Sequence, residues 1–236
     1  MQADAFVRQV SEKQSDIEFI RSEANRGNPE AQFYLGLIYI EGIGVEPDYS
    51  LGSHCYLEAA NNGNAEAMLA LSKLYVFGIG VEQSFAEATR WCDEACRAGL
   101  VDAYFYKGIL YDQGIGTERS PESAIRWYRK AACQNHVAAQ FHLAVSYFNG
   151  SGVPQSLKEA MLWFRRAASQ NHPMSQYYLG ILTYCLEGGH GRDTAVQWLT
   201  RALENGVKQA QDVIDAIDEN EALPIEYRSI NSRFGF

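Results

Sequence analysis

The chain has 236 residues, of which 47% are hydrophobic and 21% charged, the balance of an ordinary water-soluble globular protein. Its 20 Lys+Arg against 29 Asp+Glu give a net charge of −9, which argues against nucleic-acid binding through phosphates and against a polybasic membrane surface. No uncharged apolar run reaches the ~18 residues of a membrane span, and the first residues, MQADAFVRQVSEKQ, lack the basic and apolar regions of a secretory signal. The expectation is a cytoplasmic protein, monomeric or weakly dimeric, whose partner is a protein or peptide.

In chain order, residues 1–27 read as an N-terminal hairpin closing on Gly27. Four units of one length then follow, Asn28–Gly63, Asn64–Gly99, Leu100–Asn135 and His136–Asn171. The last two align residue by residue: Phe105 with Phe141, Tyr111 with Tyr147, Gly114-x-Gly116 with Gly150-x-Gly152, and Trp127 with Trp163. Fixed-period self-similarity of this kind marks a repeat architecture. A fifth unit, His172–Gly206, is one residue short, and its loop is the irregular Glu187-Gly188-Gly189-His190-Gly191. Residues 207–220 match a first helix only, with polar residues where earlier units have aromatics, as a terminal cap requires. Residues 1–220 are therefore expected to form a single solenoid, with five repeats over 28–206 and a tail over 221–236.

Within one unit, Phe141, Val145 and Phe148 fall at helical spacing, and Gly150-Ser151-Gly152-Val153-Pro154 breaks that helix. Ser156 with Glu159 is a capping box that starts a second helix, whose buried stripe is Ala160, Trp163, Phe164 and Ala167. Asp48, Ser84, Ser120 and Ser156 recur as caps, with Pro121 at a first helical position. The units end on Gly63, Gly99, Asn135 and Asn171, all tolerant of a left-handed backbone. Each unit is a helix hairpin that must stack on its neighbours to bury its apolar faces.

These landmarks carry a resemblance. AQFYLGLIYIEGIGV (Ala31–Val45) followed by Ala59-Ala60-Asn61-Asn62-Gly63 resembles the Sel1-like repeat, a relative of the tetratricopeptide repeat. The resemblance covers about residues 28–206, although Thr117 replaces the loop valine in the third unit and the fifth has lost the signature. It implies an all-α superhelical solenoid whose first helices line a concave surface, in a family of adaptors and scaffolds for other proteins.

Other chemistry finds little support. The Gly-x-Gly loops lack the preceding strand and following Lys-Ser/Thr of a phosphate site. Cys92 and Cys96 lie one turn apart without a zinc set, and Cys55, Cys133 and Cys185 add no framework spacing, so the thiols read as reduced. His136 and His172 share a repeat position at helix starts. No cofactor, metal or catalytic constellation is expected, and the chain reads as no enzyme. Lys107 stands where the other repeats have Leu35, Leu71, Leu143 and Leu179. A lysine in an apolar layer must snorkel, pair or lose its proton, and snorkelling is the expectation, with a charge placed in the groove as the alternative.

By the resemblance, the slots of Phe33, Tyr34, Leu37 and Ile40 face the concave side. The candidate partner-binding residues are then Phe33, Tyr34, Leu37, Lys73, Phe105, Tyr106, Lys107, Asp112, Phe141, His142, Phe148, Tyr177, Tyr178 and Tyr184. The Phe33 slot serves packing equally well. The Tyr34 slot is commonly Asn in such families and here holds Tyr34, Tyr106, His142 and Tyr178, rigid amphipathic rings of the sort interfaces enrich. The functional expectation is an adaptor gripping a protein segment. A dedicated inhibitor or immunity protein is the alternative, and a small-molecule enzyme a third. The tail, with Arg228, Arg233, Phe234 and Phe236, reads as a frayed terminus, or else as a placeholder docked in the groove.

Overall fold

The computed structural model of the protein describes residues 14–219. The readings made for the start of the N-terminal hairpin and for the tail lie outside the described residues. Among those described there are twelve α-helices, one short 3-10 helix and no strand. They are α1 (Gln14–Asn25), α2 (Pro29–Glu41), α3 (Tyr49–Asn61), α4 (Ala65–Phe77), α5 (Phe85–Arg97) and α6 (Val101–Gln113). Next come α7 (Pro121–Ala132), α8 (Val137–Asn149), α9 (Leu157–Ala168), α10 (Pro173–Glu187), α11 (Arg192–Glu204) and α12 (Gln209–Asp218). The architecture is an all-α solenoid of helix hairpins. The chain divides into two compact units, Met1–Ser120 and Pro121–Phe236, the division falling between the two helices of the third repeat.

The helix ends are set by the residues that the periodicity singles out. Asp48 accepts from the Leu51 amide, Ser84 from Glu87 and Ser156 from Glu159, each satisfying a first-turn donor. Asn28 and Asn64 cap α2 and α4 in the same way. His136 and His172 occupy the matching position, and there each uses ring Nδ1 as the acceptor, from Ala139 and Ser175. Between hairpins the backbone is left-handed at Gly63, Gly99, Asn135 and Asn171, with φ of 90°, 86°, 63° and 62°. Inside the loops, a Cβ on Gly80 would stand 2.0 Å from the Tyr49 carbonyl oxygen. The second glycine of the loop is thus a point where one repeat presses on the preceding one, a packing role distinct from phosphate binding.

The core is thin and periodic. Ala59, Ala95, Ala131 and Ala167 are fully buried, as are their neighbours Ala60, Ala132 and Ala168. Cys96 fills that same small-residue column and is buried, and none of the five cysteines is joined in a disulfide. The alanine columns let helices approach closely, so a larger side chain there would cost ~1–3 kcal/mol in strain.

A second periodic feature is polar. Gln32, Gln140 and Gln176 are buried, and each amide donates to a carbonyl at the end of the preceding hairpin: Ala24 (3.3 Å), Ala132 (3.2 Å) and Ala168 (3.3 Å). Each then accepts, at 2.9 Å, from an amide side chain at the next helix end: Asn62, Gln170 and Asn205. The glutamines therefore staple consecutive hairpins. Met68 and Tyr104 take the slot in the second and third repeats.

In the fifth repeat, a 3-10 turn over Gly188–Gly191 replaces the regular loop. Helix α12, the last described, has Ala210, Val213 and Ile217 buried and Gln209, Gln211, Asp212, Asp215 and Asp218 exposed, and Arg192 donates to the Asp218 carboxylate. Among the described residues, no helix is long and apolar enough to cross a membrane.

Candidate interaction surface

In the N-terminal unit the starts of α2, α4 and α6 carry Glu30, Glu66 and Asp102, three carboxylates at one repeat position. Together with Phe33, Tyr34 and the Asn62–Asn64 turn they line an open cleft of about 650 Å³. Phe33 is held from behind by Tyr56, the rings stacked at 5.5 Å, and from the side by Tyr34 at 5.6 Å. The Tyr34 phenol is pushed above its usual value by burial first, then by the Glu30 and Glu66 charges and a hydrogen bond to Glu30. It stays a neutral donor in a negatively charged setting.

Farther along the same unit, Lys73 is exposed and its Nζ lies 5.6 Å from the centre of the Tyr106 ring. Burial, and to a lesser degree the neighbouring Cys92, pushes the Tyr106 hydroxyl up to about 12. Leu37, Phe105 and Asp112 are half-buried, and Asp112 offers its backbone carbonyl to Arg119. Lys107 departs from the snorkelling expectation. Its side chain is only 17% exposed and its ammonium is ion-paired with the Asp93 carboxylate of α5. A partner within reach satisfies the charge where it lies, so the stem has no need to run out to water.

The C-terminal unit gathers a different set. Tyr178 stacks on the buried Phe164 at 5.2 Å and touches Phe141 (6.3 Å), Phe148 (6.0 Å) and Tyr177 (5.6 Å). Phe141 in turn meets His142 and, at 4.7 Å, His172. Tyr177 is buried at 3% exposure, so it is packed inside and not presented to solvent. Tyr178, His142, Phe148 and Tyr184 remain half-buried. No carboxylate continues the row here, since the matching positions are Ala138 and Met174.

Of the residues singled out from the sequence, the N-terminal unit brings Phe33 and Tyr34 together in an acidic-aromatic cleft, and the C-terminal unit brings Phe141, Phe148, Tyr177 and Tyr178 together in an aromatic cluster. Sequence reasoning passed over Glu66, although the period that joins Glu30 to Asp102 runs through it. It also passed over Asp93, whose signal lay in the second-helix column. That column reads Arg21, Leu57, Asp93, Arg129 and Arg165, with one inverted charge.

The Sel1 repeat profile matches residues 29–64, 65–100, 101–136, 137–172 and 173–207. The chain belongs to the Sel1 repeat family. Members of this family generally mediate protein–protein interaction. Among solved structures, it is similar to a protective antigen of uropathogenic Escherichia coli displaying an SLR fold, at 27% identity and a TM-score of 0.78. That match covers 93% of this chain and 49% of the other, so the chain spans about half the length of that relative. A Sel1 repeat protein from Oxalobacter formigenes matches at 28% identity and a TM-score of 0.72, covering 79% of this chain and 76% of that one. An immunity protein from Pseudomonas aeruginosa shares the fold at 19% identity and a TM-score of 0.52, covering 92% and 82%. Comparison with curated proteins returns no match.

Proposed function

We propose that this Sel1 repeat protein is a non-enzymatic adaptor that holds a cationic, aromatic-bearing segment of another protein in the cleft of its N-terminal unit. One observation carries the reading: Glu30, Glu66 and Asp102 share a single cleft with Phe33 and Tyr34. Acidic residues in a first turn favour any helix through its dipole. Helices α8 and α10 do without them, having Ala138 and Met174 at that place, so the fold does not require the row. Carboxylates around a rigid aromatic floor give long-range attraction and a short-range anchor for Lys, Arg and aromatic side chains. The thiols of Cys55 and Cys185 are pushed up to about 11 by burial, which disarms them as nucleophiles and weighs against the enzyme alternative.

Affinity capture from the source organism with wild type and with Glu30→Gln/Glu66→Gln/Asp102→Asn tests the reading. The triple variant should lose the captured protein, and wild-type capture should weaken with salt. Equal capture by both would sink it. The second reading is a dedicated inhibitor or immunity protein, suggested by the fold shared with the P. aeruginosa immunity protein. It predicts one captured enzyme whose activity falls on binding, where an adaptor would leave its partners active.

A further inference from the structure

A small pocket of about 180 Å³ opens between α5, α6 and the loop after α6, lined by Thr89, Asp93, Lys107, Tyr111 and Thr117 over a floor of Leu110. Every repeat junction has this location, so the chain supplies its own controls. At the Lys107 position the others have leucine, and at the Thr117 position the regular loops have Val45, Val81 and Val153. At the Asp93 position Arg21 and Arg129 each donate to a tyrosine hydroxyl, that of Tyr39 (3.0 Å) and Tyr147 (2.7 Å). Three changes therefore coincide at one junction: leucine to lysine, valine to threonine, and arginine or leucine to aspartate.

The consequences are chemical. With no arginine opposite, the Tyr111 hydroxyl has no hydrogen-bond partner among the described residues, nor has the Thr117 hydroxyl. Asp93 uses one oxygen on Lys107 and remains 39% exposed, leaving the other oxygen able to accept. A partly buried ion pair is weak evidence for a stability role, because well-packed apolar residues usually do as well or better. Here the preceding junction, with Leu57 and Leu71, demonstrates the apolar solution. What the polar version adds is a recess with a negative acceptor, two hydroxyl donors and a lysine charge, on an apolar floor.

We propose that this pocket binds a primary carboxamide, the side chain of an asparagine or glutamine on the partner protein. A carboxylate would lie against Asp93 and an ammonium against Lys107, so a net charge of either sign is opposed. A carboxamide is neutral and carries an acceptor and a donor side by side. Its N–H donates to the free Asp93 oxygen, and its carbonyl accepts from the Tyr111 and Thr117 hydroxyls within the lysine's field. The volume equals roughly six waters at the ~30 Å³ each takes in liquid, enough for a side chain of that size. The proposal rests on the protein-binding reading and supplies it with a residue-level preference.

Threonine-methyl NMR of the full chain tests it, because only Thr89 and Thr117 line the pocket while Thr183, Thr194 and Thr200 lie elsewhere. Acetamide and blocked glutamine (N-acetylglutamine methylamide) should each shift the Thr89 and Thr117 methyl signals saturably. Acetate and methylammonium at the same concentration should not. Asp93→Leu/Lys107→Leu/Thr117→Val, which installs the Leu57, Leu71 and Val81 of the preceding junction and so is expected to fold, should weaken acetamide binding at least about tenfold. Equal shifts with acetate or methylammonium, binding of acetamide but not blocked glutamine, or no shift at all would each overturn the proposal. None of these outcomes bears on the acidic cleft, which the capture experiment reads separately.

Discussion

The ammonium of Lys107 on α6 is ion-paired with the carboxylate of Asp93 on α5, across the junction between the second and third repeats. The preceding junction places Leu57 and Leu71 at the same two positions. One fold therefore tolerates both an ionic and an apolar solution.

Lys107→Leu alone should lower stability, because it leaves Asp93 beside apolar surface without its counter-charge. Asp93 is 39% exposed, so water softens the loss to about 1 kcal/mol, between the surface and buried limits. Asp93→Leu/Lys107→Leu should recover wild-type stability or exceed it, since it copies the Leu57/Leu71 pair. Urea melts of the three proteins decide the matter. A single variant more stable than wild type would show that the pair stabilises nothing.

Much of this molecule was legible in the sequence because the repeat compares each residue with four counterparts. The hairpin boundaries, the caps at Asp48, Ser84 and Ser156, and the left-handed Asn135 and Asn171 all follow from recurrence plus local chemistry. The pairing of Lys107 did not, since its partner sits in a different column, on the second helix of the preceding repeat. The glutamine staple was also visible as Gln32, Gln140 and Gln176, yet polar residues at helical spacing give no sign of burial until the carbonyls they meet are known. Tyr177 shares its slot with the half-buried Phe33 and Phe141 but is itself buried, because neighbouring side chains set exposure where backbone position does not.

Tyr178 and Tyr34 share a repeat position but should behave differently when truncated. Tyr178 stacks on Phe164 and meets Phe141 and Phe148, so its ring is part of the packing as well as a candidate for binding. Tyr178→Ala should cost about 3 kcal/mol, toward the lower end for a large aromatic, since the ring is half-buried. Tyr34→Ala, on the wall of an open cleft, should cost markedly less and act mainly on binding. Chemical denaturation of both variants checks the contrast, and equal losses would contradict it.

Gln140→Met asks what the staple is worth, using the residue the chain itself carries at Met68. The change removes the bond to the Ala132 carbonyl, which keeps the Asn135 amide, and leaves the exposed Gln170 amide its longer bond to the Arg166 carbonyl. A loss of about 1 kcal/mol is expected, the net worth of hydrogen bonds whose partners are not stranded. Gln140→Glu should be worse, because the carboxylate cannot donate to Ala132 and would be charged where the residue is buried. If methionine is neutral here, the glutamine is filling space and the staple contributes nothing.

His172 gives the fold an acid-sensitive cap. Its Nδ1 accepts from the Ser175 amide at 3.2 Å, which requires the lone pair and therefore an unprotonated Nδ1. Burial, and then the charge of His142, holds its pKa below the ordinary 6.5. The unfolded chain thus takes up this proton at a higher pH than the folded one. Stability from His172 is fully present above pH 6.5 and is lost as the pH falls through the lowered folded value. His172→Asn keeps a capping acceptor, as Asn28 and Asn64 do in the first two repeats, but removes the titration. Wild type should lose more stability than this variant between pH 7.5 and pH 5.5, measured by urea unfolding at each. The histidines other than His142, whose charge is coupled to His172, are common to both proteins and cancel in the difference. Parallel losses in the two proteins would show that the His172 cap does not sense pH.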